Sequence, residues 1–140
     1  MFGDKDKKHH PPPQKRIDCL IGAGTTVRGD IVFAGGLRID GQVTGNVATA
    51  DGQAGTLVIS EHARVDGEIR VSHIVINGTV AGPVSASDYL ELQPKARVTG
   101  DLAYKTLEMH VGAIVQGRLH HGSAEPESAS VVELKRAQGG

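Results

Sequence analysis

Seven histidines are the residues of this 140-residue chain with the widest chemical reach, as metal ligands or as proton carriers near neutral pH. Their spacing does not assemble a site. His9 and His10 lie in a segment rich in Pro and Lys. His120 and His121 are adjacent, so on a strand they point to opposite faces and cannot chelate one ion together. His62, His73 and His110 fall in different sequence units without a shared column, so a metal site built on them would need a second chain. Solvated histidines are the simpler reading. The serines have no His and Asp at triad spacing. Ala34-Gly-Gly36 matches a phosphate cradle in composition only, because it lacks the strand-to-helix context that makes such a loop work. Calcium-binding nonapeptide repeats require an aspartate-rich Gly-Gly-x-Gly-x-Asp run, which is missing. Cys19 is the single cysteine; it excludes an internal disulfide, fits a reducing compartment and reads as a small buried hydrophobe. Asp30, Asp66, Glu68 and Asp101 read as a solvated outer face. No catalytic, metal or cofactor site is expected.

The elements that carry these residues follow from a repeat. Leu57-Val-Ile59, Ile74-Val-Ile76, Leu90-Glu-Leu92 and Leu107-Glu-Met109 begin segments that restart after 17, 16 and 17 residues, and Leu37-Arg-Ile39 and Cys19-Leu-Ile21 extend the series backwards. A fixed period of this size means stacked units that share one core. Within the units a second pattern recurs: apolar, any residue, Gly, any residue, apolar. Val27-Arg-Gly-Asp-Ile31, Ile39-Asp-Gly-Gln-Val43, Val65-Asp-Gly-Glu-Ile69, Val80-Ala-Gly-Pro-Val84, Val98-Thr-Gly-Asp-Leu102 and Val115-Gln-Gly-Arg-Leu119 are examples. The period of two predicts strand rather than helix, with the Gly on the buried face at a tight bend. A unit of about 17 residues is one turn of a three-faced parallel β-helix with roughly six residues per face. The expected architecture is an all-β, single-domain parallel β-helix of about six coils: 19–36, 37–56, 57–73, 74–89, 90–106 and 107–122. At the ~4.8 Å spacing of paired strands this makes a rod roughly 29 Å long. The coils are of two types. Those starting at 19, 57, 90 and 107 carry Gly ten residues on; those starting at 37 and 74 carry it four and eight residues on. The extra length of the second coil, Ala50-Asp-Gly-Gln-Ala-Gly55, reads as a surface loop.

Composition agrees with a narrow aliphatic interior. The chain has 19 Gly, no Trp, two Phe and two Tyr. Val27, Ile31, Ile39, Val43, Val47, Ile59, Val65, Ile69, Ile76, Val80, Val84, Leu92, Val98 and Leu102 are expected inside. Each buried aliphatic contributes ~1.5–3 kcal/mol. The rod, 17–122, carries 8 Lys/Arg against 11 Asp/Glu, whereas residues 1–16 carry five Lys/Arg against two Asp, with three consecutive Pro. These N-terminal residues read as a disordered basic, Pro-rich tail and residues 123–140 as a second disordered tail. No apolar stretch is long enough for a signal peptide or a membrane span.

The informative chemistry then lies at the rod's ends. A terminal coil exposes unpaired N–H and C=O groups and its share of the apolar interior. The apolar residues concerned are Ile21, Val27 and Phe33 in the first coil and Met109, Val115 and Leu119 in the last. The simplest outcome is that one molecule's end caps another's, which gives a filament when the contact does not close. In the alternative, the tails fold over the ends and the protein stays monomeric.

Ile21-Gly-Ala-Gly-Thr-Thr-Val-Arg-Gly-Asp-Ile31, then Gly35-Gly-Leu-Arg-Ile-Asp-Gly-Gln-Val-Thr-Gly-Asn-Val47, resembles the opening of a bactofilin. Ala63-Arg-Val-Asp-Gly-Glu-Ile69 and Ile76-Asn-Gly-Thr-Val-Ala-Gly82 are similar to that family's repeats. The resemblance covers about 17–122. It implies a right-handed β-helix that polymerises without nucleotide or cofactor into non-polar filaments. It also implies a bacterial cytoskeletal protein, not an enzyme, acting in cell shape, envelope growth or the positioning of partners such as cell-wall enzymes, with no nucleic acid involved. The implied location is cytoplasmic, including the cytoplasmic face of the inner membrane. Some members hold that membrane through a short N-terminal segment, and Met1 and Phe2 followed by Lys5, Lys7 and Lys8 look similar; Asp4 and Asp6 dilute the charge of this copy. The runner-up is a left-handed β-helix of the hexapeptide acyltransferase or carbonic-anhydrase type. Against it, apolar residues around the paired glycines recur every four positions (Ile39, Val43, Val47; Ile76, Val80, Val84) rather than every six. An adhesin or sugar-binding β-helix would need secretion and surface aromatics, and both are missing.

Overall fold

Three short strands per repeat, each too small to bury an apolar face alone, are stabilised by the repeats above and below. The computed structural model describes residues 17–50 and 53–122. Among these the only regular elements are strands, and every pairing between them is parallel. One face is built from β1 (Cys19–Ile21), β4 (Gly35–Ile39), β7 (Gly55–Ile59), and the later parts of β9 (Ile69–Ile76), β11 (Val84–Leu92) and β13 (Leu102–Met109). The second face stacks β2 (Thr26–Arg28), β5 (Gln42–Thr44), β8 (Arg64–Asp66), β10 (Thr79–Ala81), β12 (Arg97–Thr99) and β14 (Ile114–Gln116). The third stacks β3 (Ile31–Phe33), β6 (Val47–Thr49), the first parts of β9, β11 and β13, and β15 (Leu119–His121). The six coils and three faces expected from the repeat are therefore present.

In-register pairing turns each inward position into a column. Ile21, Ile39, Ile59, Ile76, Leu92 and Met109 stack in one. Val27, Val43, Val65, Val80, Val98 and Val115 stack in another. Ile31, Val47, Ile69, Val84, Leu102 and Leu119 form a third. Where a coil lies on both sides, these side chains are fully buried. Val27 and Ile31, expected inside, are only half-buried because the first coil has a neighbour on one side. Cys19 corrects a second expectation. It occupies the inward column of Leu37 and Leu57, yet it is exposed, because nothing described covers that end of the column.

The Gly-centred pentapeptide is not a continuous strand. It is the end of one strand, a glycine corner and the start of the next, as in β8, Gly67 and β9. Gly29, Gly45, Gly67, Gly82 and Gly100 hold φ between 126° and 153°, a region closed to most side chains. A Cβ on Gly67 would overlap the carbonyl oxygen of Gly45, and one on Gly82 would overlap that of Gly67. Each corner also passes hydrogen bonds to the next coil: Gly45 N–H to Asp66 O and Gly67 N–H to Ala81 O, both at 2.9 Å. The residue after the corner glycine continues the stack through its side chain. Asp30 Oδ1 accepts the Asn46 N–H, Asn46 Oδ1 accepts the Glu68 N–H, and Asp101 Oδ1 accepts the Arg118 N–H. In the fourth coil that position is Pro83, which has no N–H to satisfy; the coil beneath it supplies Glu68, whose longer side chain pairs instead with Arg70 at 3.0 Å.

The two coil types differ at the corner between the first and second faces. Long corners make a tight turn, as in Ala63 N–H to Ser60 O (3.0 Å) and Ala96 N–H to Gln93 O (2.9 Å). Short corners, Asp40-Gly41 and Asn77-Gly78, sit directly on these turns: a Cβ on Gly41 would overlap Thr25 O and Gly22 O. Gly55, read as part of the surface loop, is instead buried in β7 opposite Gly35.

Substituting Ala at Gly29 should cost about 1–3 kcal/mol through backbone strain alone, since nothing lies within 4 Å of its Cβ position. Gly67→Ala adds overlap with the coil beneath and should cost clearly more. Equal urea midpoints for the two variants, followed by circular dichroism, would contradict this account of the corner.

Candidate functional site

The rod's two ends are cross-sections of its own core. Leu102 is 0% exposed and Leu119, one coil on in the same column, is 46% exposed; Leu92 and Met109 repeat the change from 0% to 46%. Val115 and Leu107 are half-buried for the same reason. At the other end Val27 and Phe33 are half-buried, while Ile21 is already buried at 9% exposure. The end surfaces also carry backbone groups. Leu102 N–H donates to Arg118 O at 2.8 Å; the equivalent N–H of Leu119 has no further coil among the described residues. Of the six end positions read from the sequence, three lie in the first coil and three in the last, with Ile21 the most covered.

On the outside of the first face, the last two coils gather titratable groups. Glu91 and Glu108 are direct partners on β11 and β13, and like charges so placed repel. His110 Nε2 lies 3.0 Å from Glu91 Oε2 and 3.4 Å from Glu108 Oε2. The Tyr89 hydroxyl lies 2.6 Å from Glu108 Oε1 and 3.2 Å from Glu91 Oε1. Its phenol is pushed well above its usual range, first by the hydrogen bond to Glu108, then by burial and the Glu91 charge. The imidazole is positioned from the backbone, where His110 N–H donates to Leu92 O at 2.9 Å. The sequence reading missed this group because it searched for columns of histidines. The available signal was Glu recurring after 17 residues beside Tyr89, with His two residues beyond the second Glu.

The alternation of long and short corners leaves a shallow groove lined by Arg38, Asp40, Ser60, His62, Asn77 and Gln93. Its polar groups engage one another. Arg38 Nε pairs with Asp40 Oδ1 at 3.0 Å, the Ser60 hydroxyl is within bonding reach of both Asp40 and Ile39 O, and Asn77 Oδ1 accepts the Lys95 N–H.

Residues 19–120 match the family described as bactofilin, polymer-forming cytoskeletal. The chain belongs to the bactofilin family. Among curated proteins it is similar to bactofilin BacO of Myxococcus xanthus strain DK1622, 27% identical over 114 residues, covering 79% of this chain and 87% of that protein. It is also similar to bactofilin BacP of the same strain, 24% identical over 109 residues and 78% of this chain. It spans only 44% of BacP's length. No solved structure matches. The family match runs from the first coil of this bactofilin into its sixth. Met1, Phe2, Lys5, Lys7 and Lys8, and both tails (1–16 and 123–140), lie outside the described residues. No helix among the described residues is long and apolar enough to cross a membrane.

The groove supplies a pH test of coil-to-coil packing. The Asp40 carboxyl is held below its ordinary value of 3.8, first by the Ser60 hydroxyl, against some desolvation, and then by Arg38. A depressed carboxylate stabilises the fold fully above its unfolded value and loses that contribution as pH falls through the folded value. Ser60→Ala should therefore lower the unfolding midpoint at pH 7, and the gap to wild type should narrow below about pH 4. A gap that stays constant down to pH 2 would remove Asp40 from the account.

Proposed function

We propose that this bactofilin is a structural protein that assembles end to end, without nucleotide, into filaments that act as a scaffold. The carrying observation is the change along each inward column from fully buried in mid-rod to half-exposed at the last coil. Stacking a second copy there covers the apolar cross-section and extends the backbone ladder, and the family's polymer-forming character supports it. Ile21, Val27, Phe33, Met109, Val115 and Leu119 form the polymer contact. Scaffolding of cell shape or envelope growth, and the positioning of partners such as cell-wall enzymes, belong to this reading as the work of such a polymer.

A charge at the end must be desolvated in the polymer but reaches water in the monomer. Leu119→Arg should therefore abolish filaments in nucleotide-free, chelator-treated buffer while leaving a strand-type far-ultraviolet spectrum. Val80→Arg, at a position 0% exposed, should lose the fold itself. Negative-stain microscopy and circular dichroism read both. Normal filaments from Leu119→Arg would refute the contact, and wild-type protein that remains monomeric would favour ends covered by the chain's own tails.

The N-terminal segment is the second element of the proposal. Phe2 inserts at a lipid interface while Lys5, Lys7 and Lys8 meet anionic headgroups, at about 1 kcal/mol per basic residue near the surface. A filament presents many such arms and gains avidity. Deleting residues 2–8 should release filaments from anionic liposomes and leave them polymerised; unchanged co-sedimentation would refute the anchor.

A further inference from the structure

We propose that Glu91, Glu108 and His110 form a binding site for one divalent transition-metal ion of the Zn2+ type, tying the last coil of the rod to the one before it. Three observations carry this. The donors are of the right kind, one imidazole nitrogen and two carboxylates, a set that suits Zn2+ and its neighbours better than Mg2+. The spacing of the imidazole nitrogen from each carboxylate is close to that of a coordination shell. Tetrahedral bonds of ~2.0–2.1 Å place ligand atoms ~3.3–3.4 Å apart, and His110 Nε2 stands 3.0 and 3.4 Å from the two Oε2 atoms. All three donor atoms fall within 4.8 Å of one another. The outer partner is also in place. Tyr89 lies against the Oε1 atom of both carboxylates, so each presents its Oε2 toward the imidazole, as hydrogen-bonded carboxylates do behind metal ligands. The Gln93 amide lies 3.3 Å from Glu91 Oε2 and has room to turn aside, since the site is on the outer face.

The charge arrangement points the same way. Two carboxylates opposed on adjacent strands repel, and a cation between them relieves that repulsion. One Nε2 proton cannot lie in line with both oxygens at once, whereas an ion at the centre of the three donors engages all of them. The fourth ligand is a water from the open side. Glu91 comes from β11, in the fifth coil, and Glu108 and His110 from the sixth. The ion therefore links the coil that lacks a neighbour on one side to the body of the rod. The inference rests on side-chain geometry and stands whether or not the ends polymerise.

Calorimetric titration of the chelator-treated full chain with ZnCl2, at a pH where the imidazole is neutral, tests it directly. The wild type should take up one equivalent that His110→Ala and Glu91→Gln lose and His120→Ala keeps. MgCl2 should give no such uptake. Ions held elsewhere by His9, His10 or His121 are common to all these proteins, so the difference reads this site. Tyr89→Phe should keep the stoichiometry and weaken the affinity roughly 10–100-fold, as loss of an outer-shell partner does. Zn2+ should raise the thermal midpoint of the wild type and not that of His110→Ala. Glu91→Gln preserves side-chain volume, and the far-ultraviolet spectrum of each variant checks that it is folded before its uptake is compared. Equal Zn2+ uptake by wild type, His110→Ala and Glu91→Gln, or no uptake by the wild type, would overturn the assignment.

Discussion

Parallel, in-register hydrogen bonding between successive coils is the constraint on which everything else in this molecule depends. Once strand sits on strand at the ~4.8 Å repeat, every inward position must carry a side chain that packs on a near copy of itself. Aliphatic columns satisfy this with little loss of rotamer freedom, which is why Val and Ile fill the interior and rings are nearly absent. The same spacing leaves no volume for a Cβ where the chain turns from the second face to the third above another coil, hence the glycine column from Gly45 to Gly100. Each coil is thus shaped by its neighbours more than by its own sequence, and a coil without a neighbour is chemically different from the rest.

That difference explains how far the sequence could be read. The period from Cys19 to Leu107 located all six coils, and the spacing of Gly41 and Gly45, or Gly78 and Gly82, separated two coil types in the sequence. Burial that depends on absolute position along the rod was read only in part. Cys19 sits in an aliphatic column and reads as core; its exposure follows only from being first. Val27 has the same local pattern as Val80, yet one is half-buried and the other fully buried. The Gly-centred pentapeptide showed period two and a tight bend at its glycine but not a full corner between two strands, because a corner with both flanking residues turned inward preserves the alternation of a strand.

The outer surface was less legible, for a related reason. Interior columns repeat like with like, whereas outer columns mix residue types. The register that places Leu90 on Leu107 also places Glu91 on Glu108, and only the side-chain conformations bring His110 and Tyr89 to the same carboxylates. The Asp30, Asn46 and Asp101 caps are another outer pattern of this type. Alone, each looks like a solvated charge. Stacked, each satisfies a backbone N–H that the corner geometry leaves without a strand partner, and Pro83 removes the donor where the coil beneath presents Glu68 rather than a short Asx side chain.

The direction of the hydrogen bonds has a mechanical consequence. They run along the rod axis, so axial tension pulls on all the bonds between two coils together, in parallel, and does not open them one after another. Within the rod that shared loading is backed by an interdigitated apolar column on each face. Rupture under tension therefore concentrates at the plane with the least such backing, which is wherever one rod ends and whatever lies beyond it begins. A body built this way is stiff and strong over its own length, and its fracture points are set by its ends.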